Sequence, residues 1–520
     1  MTAGPIWAVA LMIAVSGSPA AAEILRWASA LESASLDPHA QTEAAPATLI
    51  RQIYEPLVLR NPEGALEPAL ATDWQVSASD PTVWVFNLRQ GVTFHDGAKF
   101  DSADVVYSIG RARSEGSGLR TSAADIRAVR APGPFTVEIV TTAPTPNLPD
   151  LLTGLEIMDK GWTEANRAGP VAADGYAASH TNGTGPYRLV AREAGVRTDL
   201  TVHEAYWGHV LFAMDVTGIV HTPLPEAALL PALRDGLVDV VQDVPARSLT
   251  KADHDAGLSM QTAPQNRVIF FGLNVGAKDL VSDDLTTGNP LSDPRVRRAM
   301  SMTINRDVIQ QVVMGGQSRP AGMLIAPSVT GWSADLNRPP ETDVLSAKAL
   351  MAEAGYDDGF TLRLDCPEGR YAGDAAICEA VARMMAQIDI IVTPEITSSA
   401  VHFGKILAGE TDFYLLGLGV STLDSAPVLD ALYHSRKAGH GVWNATGFAD
   451  PAFDQKIDAL AAVTDPGERA AQIADLWVAA QDLTLYLPLH QQVTSWGVGP
   501  GVEMTVDPAD TPLFKYVTLQ

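Results

Sequence analysis

Apolar positions recur along this chain with two periods, and the switches between them mark its elements. Trp84, Phe86 and Leu88 alternate with Val85 and Asn87, the two-residue period of a half-buried strand. A turn follows at His95-Asp96-Gly97, where glycine accepts positive φ and aspartate bonds its own backbone. Asp101 precedes Asp104 and the apolar Val105, Val106, Tyr107 and Ile109. That order predicts a helix with Asp101 as its N-cap and Asp104 facing the positive end of the helix dipole.

Further on, RVIFFGLNV at 267–275 is almost continuously apolar, the pattern of a strand covered on both faces. From residue 360 strands and helices alternate: strands at 360–364, 390–392 and 413–418, helices at 374–388 and 399–407. This order predicts an α/β lobe with a largely parallel, two-sided sheet. Helices at 453–463 and after Asp465-Pro466, and a late strand at 485–490, complete the pattern. No internal repeat or flexible linker separates the parts, so a two-lobed chain of this kind crosses between its lobes more than once.

The 520 residues suffice for two or three domains with sizeable cores. A net charge of −25 argues against nucleic acid or an anionic membrane surface as partner, since both demand basic patches. Residues 1–22 carry no charged side chain, hold an apolar run at 6–15 and end in Ser18-Pro19-Ala20-Ala21-Ala22. The run is too short to span a bilayer, and the segment reads as a secretory signal peptide cleaved after Ala22. An exported monomer without a spanning helix is expected.

The two cysteines, Cys366 and Cys378, are either a disulfide, as suits an exported chain, or two buried thiols. Their spacing matches no zinc pattern. Enzyme signatures are missing as well: the chain has no phosphate-binding G-x-x-x-x-G-K-[ST], no H-E-x-x-H and no G-x-S-x-G. Neither catalysis nor a cofactor is expected, and a secreted hydrolase is a remote alternative.

The order of residue types in 66–113 adds to this reading. LATDWQVS, WVFNLRQGVTFHDG and DSADVVYSI, together with NGTGPYRLV at 182–190 and LSDPRVRRAMSMTINRDVI at 291–309, resemble the signature of the family 5 extracellular solute-binding proteins. These are the dipeptide and oligopeptide receptors of bacterial ABC importers. The resemblance implies a two-lobed periplasmic-binding-protein fold with the ligand in the cleft between lobes, closed by hinge motion. It implies lobe one from 23–60, 170–266 and 486–520, an extra domain inserted at 61–169, and lobe two at 267–485. The implied location is the periplasm, and the implied partners are a peptide or peptide-sized anionic solute and an inner-membrane ABC permease. Receptors of similar sequence also take opines, sugar derivatives, haem or metal complexes, so a non-peptide solute is the alternative.

Ligands of an open α/β lobe bind outside the carboxyl ends of its strands. The loop Cys366-Pro-Glu-Gly-Arg370-Tyr371 follows one such strand, and an arginine there suits a carboxylate. The family resemblance implies the same: its arginine holds the peptide carboxylate and its tyrosine stands nearby. Arg370 and Tyr371 are therefore candidate ligand contacts, the alternative being a solvated loop arginine. The loop GLGVSTLDSAPVLD at 417–430 follows the next strand. Peptide receptors carry a tryptophan and an ammonium-pairing aspartate here. Aligned on Pro427, this chain has Val420 and Leu423 at those places, with Asp424 one residue late. Asp424 is then either a ligand contact or a turn-stabilising aspartate. Asn274, at the end of the 267–275 strand, is a further candidate polar contact.

Overall fold

Two long strands hold the molecule together by running through both of its halves. In the computed structural model they are Ser259–Leu273 and Tyr486–Val498, neighbours in one eleven-stranded sheet. The structure describes residues 23–520 apart from 31, 41–43, 63, 121, 173–174, 213, 245–247, 281–287, 421 and 464. The expected signal peptide lies outside the described residues.

The two strands are antiparallel. Residues from Ser259 to Pro264 pair with Val498 back to Val493, and residues from Val268 to Gly272 pair with Gln491 back to Tyr486. The register shifts between Pro264 and Val268. That irregularity is where the chain passes from one half to the other, and Pro264, which cannot donate to a ladder, stands at its edge. On the second strand the same irregularity falls at Gln492, between Gln491 and Val493.

In the first half Ile24–Ser29 pairs in parallel with Gly218–Pro223 and with Val240–Gln242. Trp27, Tyr54, Tyr187, Trp496 and Phe514 fill its core. In the second half Phe360–Glu368 runs parallel to Ile390–Ser398 and pairs with Phe413–Gly419. Phe270 and Phe271, adjacent on the crossing strand, are both fully buried but in different clusters. Helices therefore cover both faces of this sheet, as the unbroken apolar run requires.

The segment between forms its own antiparallel sheet of four strands: Ala71–Ser77, Asp80–Leu88, Thr136–Thr141 and Ile126–Gly133. The helix Ser102–Ala112 packs on it. Its predicted start is present as a full capping box, with the Asp101 carboxylate accepting from Ala103 N–H and the Asp104 carboxylate from Asp101 N–H. Arg111 of that helix reaches Asp37 of the first half in a two-pronged ion pair, both side chains 1% exposed. Arg111 also donates to the carbonyls of Ala168 and Gly169, which gives a desolvated cation the extra acceptors it needs. Among the described residues no helix is long and apolar enough to cross a membrane.

Candidate functional site

Register fixes where the strand ends lie. Gly419, the last residue of Phe413–Gly419, pairs with Arg267, while Phe413 pairs with Leu273. In the first half Val240 pairs with Val498 and Gln242 with Trp496, so that strand too runs toward the crossing. The carboxyl ends of the parallel strands in both halves thus face the crossing, where ligands of open α/β sheets bind.

The loop after Phe360–Glu368 arrives there well anchored. Cys366 and Cys378 form a disulfide that joins the strand to the helix Asp374–Met385 and brackets the loop. The Asp374 carboxylate accepts from the backbone N–H of both Arg370 and Tyr371, at 2.8 and 3.1 Å. Because this acid occupies the helix N-terminus, an incoming anion has to be met by the arginine side chain rather than by free helix N–H groups. Tyr371 is buried, and its hydroxyl accepts from Gly417 N–H at 2.9 Å and reaches the Gly417 carbonyl at 3.2 Å. A Cβ on Gly417 would stand 2.5 Å from Ile269 Cδ1 and 2.7 Å from the Tyr371 ring, so glycine is required for this seat. The Arg370 guanidinium is exposed, 5.3 Å from the Tyr371 ring.

Arg267 joins it from the crossing strand. Burial and then the neighbouring Arg370 cation lower its guanidinium from the ordinary value. Its Nη1 reaches Gln492 Oε1 at 3.5 Å. Among the described residues neither Arg267 nor Arg370 forms an ion pair. Two guanidinium groups held near one another without a carboxylate are an unmet demand for an anion. Sequence reasoning passed over Arg267; the signal was a cation at the head of an otherwise apolar strand.

Asp424 is placed differently. Its carboxylate takes both prongs of Arg469, Nε to Oδ2 at 2.9 Å and Nη2 to Oδ1 at 3.0 Å. It also accepts from Ala426 N–H at 2.7 Å, and both partners of the pair are about nine-tenths buried. Leu423, next to it, has φ of 51°, a left-handed conformation a branched side chain rarely takes. Its side chain reaches across to Gly64 of the inserted sheet domain. Asn274 stands at the opposite end of the strand from Arg267, with the amino end of Phe413–Gly419. It is buried, donating to Asp412 Oδ1 at 3.3 Å and accepting from Ala277 N–H at 3.1 Å. The structure thus brings Arg370 and Tyr371 together with Arg267, and separates Asn274 from them.

A cavity of about 310 Å³ opens where the three parts meet, lined among others by Arg51, Arg60, Asp150, Asn266, Leu423 and Asp507. Its size suits a small-molecule site. Arg60 pairs with Asp150 and donates to the Thr422 carbonyl at 3.0 Å, tying the inserted domain to the second half. Arg370, Tyr371, Asp424 and Asn274 do not line this cavity. Across the crossing from the arginines, Asp243 follows the Val240–Gln242 strand with φ of 58°. Solvent reaches it although protein hems it in; burial, then Asp510 and Glu226, push its carboxyl up. The crossing is therefore cationic on one side and acidic on the other.

Residues 65–440 match the bacterial extracellular solute-binding proteins, family 5, middle region. The glutathione-binding protein GsiB of Salmonella paratyphi A is 24% identical over 501 residues, 92% of either chain. Among solved structures, HbpA2 from Haemophilus parasuis superposes with a TM-score of 0.83 at 20% identity, covering 96% of this chain and all of the other. The periplasmic binding protein DppA from Helicobacter pylori, in complex with the peptide STSA, gives 0.73 at 21% identity, over 95% and 98%. The family match spans most of the chain and the fold agrees along its length: this protein belongs to the family 5 bacterial extracellular solute-binding proteins.

Proposed function

We propose that the protein is the periplasmic receptor of an ABC importer and that it captures a peptide-sized solute bearing carboxylate groups. The observation that carries this reading is the pair Arg267 and Arg370, two cations at the crossing without a carboxylate partner among the described residues. Each suits a carboxylate through paired N–H donors. The acidic side at Asp243 gives an ammonium group somewhere to sit. One similar protein is named for glutathione binding and another was solved with a peptide, and glutathione carries two carboxylates and one ammonium. The disulfide fits an oxidising compartment such as the periplasm. Capture would proceed by closing the halves about the two crossing strands, and the closed form would be stabilised by ligand.

A second reading has its own support. Asp424 is held by Arg469, so the aspartate expected for a peptide ammonium is occupied, and solutes without an ammonium group become candidates. Structural neighbours include proteins solved with agropinic acid and mannopinic acid.

Titration calorimetry of the ligand-free mature protein against glutathione, dipeptides, tripeptides and opine-type acids tests both. Binding of glutathione or short peptides supports the first reading, and binding of the opine-type acids alone supports the second. Native mass spectrometry that releases only a solute without any acidic group would refute both.

A further inference from the structure

Away from the crossing, the second half gathers a cluster that ligand capture does not use. The helix Ala426–Tyr433 presents Asp430, and His434 follows at its end, one turn later and on the same face. A tight turn, closed by Lys437 and His440 and flanked by Gly439 and Gly441 at φ of 87° and 60°, brings His440 back against them. One donor atom each from Asp430, His434 and His440 lies within 4.8 Å of the others. The two imidazole rings are stacked, 4.4 Å between centroids, and His440 Nδ1 is 2.5 Å from Asp430 Oδ1.

The second observation is His434 itself. It is fully buried, and its Nδ1–H donates to the Ser435 carbonyl at 2.8 Å. That bond occupies Nδ1 and leaves Nε2 as the ring nitrogen facing the cluster. Nε2 is buried with no hydrogen-bond partner, and Asp458 Oδ1 of the helix Pro451–Ala459 stands 3.4 Å from it. The carboxylates Asp430, Asp454 and Asp458 surround the two rings, and the cation found among them is the half-exposed Lys437, 3.7 Å from Asp458.

We propose that Asp430, His434 and His440 bind a divalent transition-metal ion of the zinc type, with Asp458 or water as fourth ligand. Two imidazoles and a carboxylate are the donors such an ion prefers, with His434 oriented by a backbone carbonyl. Ligand atoms about 2.0–2.1 Å from a tetrahedral ion lie closer together than this cluster does, and the glycine-flanked turn lets His440 close the difference. The ion would staple the turn to the helix Ala426–Tyr433 and, through Asp458, to Pro451–Ala459.

The test uses the tag-free mature chain, stripped with a chelator and titrated with zinc chloride by calorimetry, with thermal unfolding measured in parallel. The expected result is one zinc bound per chain with a higher Tm. His440→Ala and Asp430→Asn, both at partly exposed positions, should lower zinc affinity by at least about tenfold. Arg370→Ala, at the crossing, should leave it unchanged. The proposal is overturned if zinc does not bind at submillimolar concentration, or if His440→Ala binds zinc as tightly as the parent.

Discussion

The Tyr371 hydroxyl sits against both backbone groups of Gly417, 2.9 Å from its N–H and 3.2 Å from its carbonyl. One side chain thereby locks the loop that follows Phe360–Glu368 to the neighbouring strand Phe413–Gly419, and Arg370 stands on that loop. Tyr371→Phe keeps the ring and removes both hydrogen bonds. The partly buried Gly417 groups lose their partner, and the expected cost is about 0.5–1.5 kcal/mol. Ligand affinity should fall with stability, because Arg370 is positioned by this loop. Urea unfolding and calorimetry on the same variant check both. Full stability with full affinity would show that the seat is not needed.

Asp424 and Arg469 make opposite predictions for a structural and a ligand-binding aspartate. Removing one partner of a buried ion pair strands the other charge. Asp424→Ala should therefore destabilise the protein by about 3–5 kcal/mol while the folded fraction binds ligand nearly as before. If affinity collapses and unfolding is unchanged, Asp424 contacts the ligand.

Three fully buried histidines set an acid limit on stability. Burial, first among the causes, lowers His39, His221 and His490 each to about 4. Their unfolded value is about 6.5. Above pH 6.5 both states are neutral at these positions. Between pH 6.5 and about 4 the unfolded state binds protons that the folded state refuses, so stability falls as pH falls. Each histidine contributes up to about 1.4 kcal/mol per pH unit within that window. Asp104, whose carboxyl burial raises to about 6, works in the opposite direction over part of it. Denaturant midpoints at several pH values should drop steeply across this window, and His221→Gln should flatten the slope. A flat profile would contradict the burial of these rings as neutral groups.

Much of this was legible in the sequence, for physical reasons. Long apolar runs and capped helices announce themselves locally: Phe270 and Phe271 had to be covered on both faces, and the Asp101 capping box spans only four residues. The crossing was half legible. The strand Ser259–Leu273 begins well before the apolar run at 267, because its first part, SMQTAPQN, is polar and holds Pro264. Its partner extends past residue 490 through Gln491, Gln492 and Thr494. Those polar residues are buried by the crossing itself, a tertiary effect without a sequence period. Asp424 and Arg469 lie 45 residues apart, so their pairing left no local trace. The spacing of Asp430, His434 and His440 was visible, but only the turn at Gly439 and Gly441 folds the last of them back.

The disulfide closes a short loop between strand and helix, with Cys366 and Cys378 twelve residues apart. In the chain-entropy view such a link contributes about 3 kcal/mol. Reduction with a thiol should lower the unfolding midpoint and weaken ligand binding together, because the linked segment carries Arg370. Thermal unfolding and calorimetry with and without reductant measure this. Binding unaffected by reduction would mean that Asp374 and Tyr371 position the loop on their own.

The claim that Arg370 holds a ligand carboxylate is tested most directly by a cycle that changes one partner at a time. Calorimetry would compare a bound peptide with its carboxyl-terminal amide, on the parent protein and on Arg370→Ala. The parent should lose about 1.5–3 kcal/mol of binding energy to the amide, the range of a charge-assisted hydrogen bond, and Arg370→Ala should barely distinguish the two ligands. An equal penalty on both proteins would place the carboxylate elsewhere and contradict the account.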